Sequence, residues 1–221
     1  MSKINKTMKD NAEAFIVRWR GTKAERSEAQ TFCNEFFEIF GLYRKDYALF
    51  EKPIRKKGSS GTGFADLFWK GKLIIESKSA HLDSDKNWKK TLEQATEYVH
   101  DLKPYQRPQY ILLMNFKRIQ KHSVKLKGNK ININLVKEIP IEKLAIELDE
   151  FQFFLDFAEK LEKDEEEVNK EAANLIANVY DSLSRKGHKT EEVAIFLSRI
   201  LFCLFAEDTG IFENNQFENY L

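Results

Sequence analysis

Cysteine is nearly absent: the 221 residues hold two, Cys33 and Cys203, each inside an apolar helical pattern. Two isolated thiols exclude a disulfide framework and a cysteine-ligated metal centre, and they point to a reducing compartment. Histidine is equally scarce, and the four (His81, His100, His122 and His188) lack metal-ligand spacing. Long apolar runs are missing too. The longest, Ile200 to Ala206, falls far short of the ~20 residues of a membrane span, and Met1-Ser-Lys-Ile-Asn-Lys6 has no signal-peptide core. The expectation is a soluble, cytoplasmic protein without a membrane partner. The glycine cluster Gly58, Gly61 and Gly63 is wrongly spaced for a phosphate-binding loop, and a strand follows it instead of a helix.

What is present begins with charge. Residues 1–148 carry 29 Lys and Arg against 18 Asp and Glu, a net of +11, whereas residues 149–221 carry 7 against 17, a net of −10. The overall +1 conceals a basic first part and an acidic second part. That asymmetry argues for two units and for a polyanionic partner, nucleic acid, on the first. A hydrophobic content of 42% with 18 Phe suffices for a sizeable core.

The stretch Gly63-Phe-Ala-Asp-Leu-Phe-Trp-Lys-Gly-Lys-Leu-Ile-Ile-Glu-Ser-Lys-Ser79 reads as a β-hairpin turning at Lys70-Gly71-Lys72. Pairing that is symmetric about Gly71 sets Asp66 opposite Glu76 and Phe64 opposite Lys78. Like charges directly opposed across a ladder are destabilising. A hard divalent cation such as Mg²⁺ between the two carboxylates makes the arrangement favourable. Glu76 and Lys78 are two apart and share a face, so two carboxylates and one ammonium converge. A solvated hairpin of alternating charges is the plain alternative.

Around it, periodicity gives a helix from Lys9 to Arg20 and another from Lys23 to Phe40, with Gly41 as its stop. A strand follows over Tyr47–Ile54. Next comes a basic loop whose Arg55, Lys56, Lys57 and free backbone N–H groups suit phosphate contacts. After the hairpin, Asp83 to Leu102 is a helix buried along Trp88, Leu92, Ala95, Val99 and Leu102, with Gln94 and Tyr98 stacked on a neighbouring face. Gln109 to Phe116 reads as a central strand buried on both faces. Lys117 to Lys130 reads as a basic, turn-containing stretch, Lys130 to Ile139 as an edge strand, and Pro140 opens a short helix. From Leu148 onward the pattern is helical: Phe151 to Leu161, a charged surface or linker over Lys160–Glu167, then Ala172–Leu183 and Glu191–Glu207. The expected division is 1–147 and 148–221.

The constellation Asp66-x9-Glu76-x-Lys78 resembles the active site of the PD-(D/E)xK nuclease superfamily, with Ala65 where Pro is usual. The order helix, strand, hairpin, helix, strand matches that superfamily's αβββαβ core. The implied fold class is α/β (α+β), a mixed central sheet flanked by helices and followed by an α-helical connector. The pair Gln94-x-x-x-Tyr98 resembles the motif of the RecB-like branch, where it lines the site. In some of these enzymes a first-helix Glu approaches the metal, which makes Glu28 and Glu35 candidates. Arg199 to Phe212, Glu28-Ala-Gln-Thr-Phe32, Ala65-Asp-Leu-Phe-Trp69 and Glu76-Ser-Lys-Ser-Ala80 resemble the MmeI-like type II restriction-modification enzymes, which join nuclease, helical connector and DNA methyltransferase. The resemblance implies a Mg²⁺-dependent endonuclease acting on double-stranded DNA, with Mn²⁺ able to substitute. Asp66, Glu76 and the Ser77 carbonyl would hold the metal, and Lys78 would position or deprotonate the attacking water. Gln94 and Tyr98 would orient the site, and the products would carry 5′-phosphate and 3′-hydroxyl ends. No Asn-Pro-Pro-Phe/Tyr motif and no glycine-rich methyl-donor site occurs in these residues. S-adenosylmethionine is therefore expected only in a downstream methyltransferase domain, which with a target-recognition domain would be a partner of this chain. The rivals are a non-catalytic DNA-binding or assembly module and a RecB-like exonuclease.

Overall fold

A computed structural model of the chain describes residues 2–21, 28–56, 61–79, 81–127, 130–208, 211 and 217. The first helix, α1 (Lys6–Trp19), is capped by Asn5, whose side chain accepts from the Met8 N–H, and it buries Ala12, Phe15, Ile16 and Trp19. These are the apolar positions that the helical period sets on one face. α2 (Ala29–Glu38) buries Phe32, Cys33, Phe36 and Phe37. The part of the expected second helix over 23–27 lies outside the described residues.

Six strands follow: β1 (Leu49–Arg55), β2 (Thr62–Trp69), β3 (Leu73–Ser77), β4 (Tyr110–Met114), β5 (Arg118–Lys127) and β6 (Lys130–Pro140). They form one sheet in chain order. β3 and β4 are parallel, joined by the crossover helix α3 (Asp85–Asp101), and every other neighbouring pair is antiparallel. β3 and β4 are buried on both faces, as their unbroken apolar runs require. One face carries α1, α2 and the segment around Phe151, Phe154 and Phe157; the other carries α3, with Trp88, Ala95, Tyr98 and Val99 over Ile74 and Ile111. The architecture is α+β with a mixed sheet.

Two expectations need correction. Within the stretch Lys117–Lys130, read as basic and turn-containing, Arg118 to Lys127 is the strand β5. Its apolar residues, Ile119, Val124 and Leu126, are few and do not share one face, so the strand lacks the alternation that would have revealed it. The helices expected over 151–161 and 172–183, with a solvated helix surface or linker between, are one helix, α4 (Phe153–Arg185), so the charged run is helix surface. Glu and Lys are good helix formers, so a charged run continues a helix readily. Gly187 then turns the chain at φ 88° into α5 (Thr190–Asp208). The chain divides into two compact units, Met1–Glu159 and Lys160–Leu221. Among the described residues no helix is long and apolar enough to cross a membrane.

Candidate active site

The β2–β3 hairpin turns at Gly71, whose φ of 71° suits a residue without a side chain. Its rungs, Leu67 with Ile75, Phe68 with Ile74 and Trp69 with Leu73, are symmetric about that glycine. The same register carried one step further sets Asp66 across from Glu76, and there side chains replace the backbone ladder. The Asp66 N–H donates to Glu76 Oε1 at 3.3 Å, and the Ser77 N–H donates to Asp66 Oδ2 at 2.7 Å. The ladder stops short of Phe64 and Lys78. Lys78 instead follows the end of β3, its N–H donating to the Met114 carbonyl of β4 at 2.9 Å.

Glu76 is fully buried. Burial, and next the charge of Asp66, pushes its carboxyl up to about 8, against the opposing pull of Lys78. Gln94 reaches this group from α3, its Nε2 donating to Glu76 Oε2 at 3.2 Å and to the Tyr98 hydroxyl at 2.8 Å. Burial raises the Tyr98 phenol above its ordinary value. A Cβ built on Gly63 would lie 2.9 Å from the Tyr98 hydroxyl and closer still to its ring, so only glycine lets β2 approach α3 this tightly. Asp66, Ser77, Lys78 and Gln94 line one cleft of about 400 Å³, together with Glu51 and Phe116.

The segment after Lys78 is anchored from beyond the cleft. Asp83 Oδ1 accepts from Trp88 Nε1 at 3.0 Å, Asn115 Nδ2 at 3.0 Å and Arg118 Nε at 2.8 Å. These contacts tie the start of α3 to the β4–β5 connection. From α2, Cys33 places its Sγ 3.7 Å from Ser77 Oγ. Burial pushes the Cys33 thiol up to about 12, so it is neither a nucleophile nor a ready metal ligand at neutral pH.

The other candidate residues are distributed as follows. Glu35 faces α1, accepting from Trp19 Nε1 at 2.8 Å and pairing with Arg18 at 2.8 Å. Glu28 is exposed at the start of α2, one residue before Ala29, which lines the cleft. Arg55 closes β1 opposite Thr62, and Lys56 pairs with Glu97 of α3 at 3.3 Å. Lys57 lies outside the described residues. Among the described residues no group of three or more His, Cys, Asp and Glu is arranged to hold a metal ion. Glu51 was missed by the sequence reading; between Phe50 and Lys52 on an edge strand it reads as an ordinary exposed residue.

Comparison with known proteins places these features. Residues 10–186 match the family described as MmeI, N-terminal domain, and residues 191–221 match that described as MmeI, helicase spacer domain. DNA methyltransferase A of Bacillus subtilis (strain 168) is 29% identical over 140 residues, covering 59% of this chain and 14% of that protein. The chain thus spans a small part of this curated relative's length. No solved structure matches. Since the first of these matches covers well over half of the sequence, the chain belongs to the MmeI N-terminal domain family, with the family's helicase spacer region following it.

Proposed function

We propose that this chain is the Mg²⁺-dependent DNA endonuclease portion of a bifunctional restriction-modification enzyme, built on a PD-(D/E)xK core. Family membership and the methyltransferase relative support a restriction-modification region. The observation that carries the nuclease reading is the pair Asp66 and Glu76, opposed where the hairpin ladder opens, with Asp66 and Lys78 lining one cleft. The order α2, β1, β2, β3, α3, β4, with β3 and β4 parallel, agrees with the expected core.

The donor set fits a hard divalent cation. A buried carboxyl pushed up toward 8 beside a second carboxylate is a poor arrangement for the fold alone, and cation binding favours its ionised form. Mg²⁺ is commonly held by one or two carboxylates plus substrate phosphates and water, so two acids with the Ser77 carbonyl suffice. When bound, such an ion polarises a phosphoryl oxygen and lowers the pKa of a water molecule. The chain's own groups do the rest. Lys78 orients the attacking water and offsets the negative charge that develops at phosphorus. Gln94, held by Tyr98, fixes the orientation of the Glu76 carboxyl. In-line attack with loss of the 3′ oxygen leaves 5′-phosphate and 3′-hydroxyl ends. Arg55, Lys56 and Lys57 serve the phosphate backbone of duplex DNA, and methylation with S-adenosylmethionine belongs to downstream domains.

The hydrogen-bonded chain Tyr98, Gln94, Glu76 also favours a second reading, a RecB-like exonuclease. Supercoiled plasmid separates the readings, since an exonuclease finds no end on it. Wild-type chain should nick the plasmid in Mg²⁺ or Mn²⁺, and Asp66→Ala should not. Equal nicking by both would move the chemistry off this hairpin. Degradation of linear duplex only, with the closed circle left intact, would favour the exonuclease.

A further inference from the structure

A glutamate on an edge strand normally alternates out to solvent. Glu51 is exposed, yet it differs from an ordinary edge residue in three ways. Its φ is 51°, the left-handed region that residues with a side chain rarely adopt. The rungs on either side, Phe50 with Leu67 and Lys52 with Ala65, keep one register, so Glu51 lies across from Asp66, yet these two form no rung. Both strands also change face at this level. Phe50 and Leu67 pack in the core under α1 and α2, whereas Ile54 and Ala65 pack in the core under α3. Glu51, Asp66 and Glu76 therefore form one row across three neighbouring strands, with adjacent strands about 4.8 Å apart.

Two cavities join Glu51 to the site. It lines the 400 Å³ cleft with Asp66, Ser77 and Lys78, and it lines a smaller recess of about 50 Å³ with Asp66, Cys33 and Ser77. It is also close enough for its charge to add to the upward push on Glu76. The described acids do not themselves form a ready-made three-ligand centre, so Glu51 acts at one remove.

We propose that Glu51 is a positioning residue of the cation site: its carboxylate accepts hydrogen bonds from water in the hydration shell of a divalent cation held by Asp66 and Glu76. This rests on the cation-dependent reading above. Mg²⁺ and Mn²⁺ retain several waters when few protein groups bind them, and a carboxylate that orients such waters strengthens the site without touching the ion. It also accounts for a charged side chain at a backbone position better suited to glycine.

The test is Mn²⁺ binding to the whole chain, followed by the electron paramagnetic resonance of the free ion, beside thermal unfolding without metal. Glu51→Gln should bind Mn²⁺ about tenfold more weakly with its metal-free melting temperature unchanged or higher. Glu51→Gly, suited to the positive φ, should melt higher and still bind weakly. Wild-type Mn²⁺ affinity in Glu51→Gln, with affinity lost in Asp66→Asn, overturns this inference alone. Undiminished affinity in Asp66→Asn overturns the cation site itself. Loss of affinity together with a lower melting temperature in both Glu51 variants assigns Glu51 a structural role and also overturns the inference.

Discussion

Gly63 shows how little separates the assembled site from a broken one. A single methyl group there meets the Tyr98 ring and its hydroxyl, the latter at 2.9 Å. Tyr98 is 3% exposed and cannot swing into solvent without unpacking the core under α3. Gly63→Ala should therefore destabilise the chain by about 1–3 kcal/mol, the usual cost of overpacking. It should also detach Gln94 from Glu76. Urea unfolding measures the first effect and plasmid nicking the second; a variant with wild-type values in both would show that β2 and α3 are not in this contact. At this scale residue type and spacing in the sequence were enough to group these side chains. Asp66, Glu76, Gln94 and Tyr98 are linked by the hydrogen bonds observed. Backbone conformation was not legible, since no pattern around Glu51 announces its positive φ.

At the scale of elements, β5 lies between β4 and β6 with both of its faces covered. The consecutive residues Lys121 and His122 alternate to opposite faces and are both buried. Lys121 finds Glu150, its Nζ 3.3 Å from the carboxylate. His122 Nδ1 is buried without a hydrogen-bond partner. Burial pulls this imidazole down to about 4, so the folded chain keeps it neutral. The unfolded chain binds the proton more tightly, and protons therefore favour unfolding between the two values. The stability contribution is complete above about pH 6.5 and is lost as pH falls toward 4. His122→Leu removes this titration. Wild type should lose about 2 kcal/mol relative to the variant between pH 6.5 and 4, read from denaturant unfolding across that range. Parallel pH curves would remove His122 as the acid-sensitive group of β5. Few apolar residues mark β5, which was therefore not recognised, whereas β3 and β4, uninterrupted and apolar, were.

At the scale of the molecule, the compact first unit runs to Glu159, and its core contains Leu148, Phe151, Phe153, Phe154 and Phe157. Phe154 packs edge-on to Phe37 at 4.9 Å and stacks on Phe40 at 5.0 Å. Removing one buried Phe side chain costs about 3–5 kcal/mol, against a typical domain stability of 5–15 kcal/mol. A fragment of residues 1–159 should therefore unfold cooperatively, and one of residues 1–147 should not fold. Circular dichroism during thermal unfolding distinguishes them, and a cooperative 1–147 would mean that the aromatic segment is dispensable. The change in composition near Leu148 marks where charge reverses. The packing extends further, because the first turns of α4 belong to the first unit's core.

The amino-acid order by itself determined what is local. The 3.6-residue stripes fixed the faces of α1, α2 and α3, unbroken apolar runs fixed β3 and β4, and Gly71 fixed the hairpin turn and so the register that brings Asp66 and Glu76 together. Each follows from interactions over a few residues, where period and turn chemistry leave one arrangement. Only the tertiary structure decided what depends on contacts between distant segments. It raised Glu76 by burial, required glycine at position 63 through α3, turned Glu35 toward α1, and placed Glu51 beside Asp66. These outcomes are set by surfaces that meet only once the sheet has formed and both faces are covered.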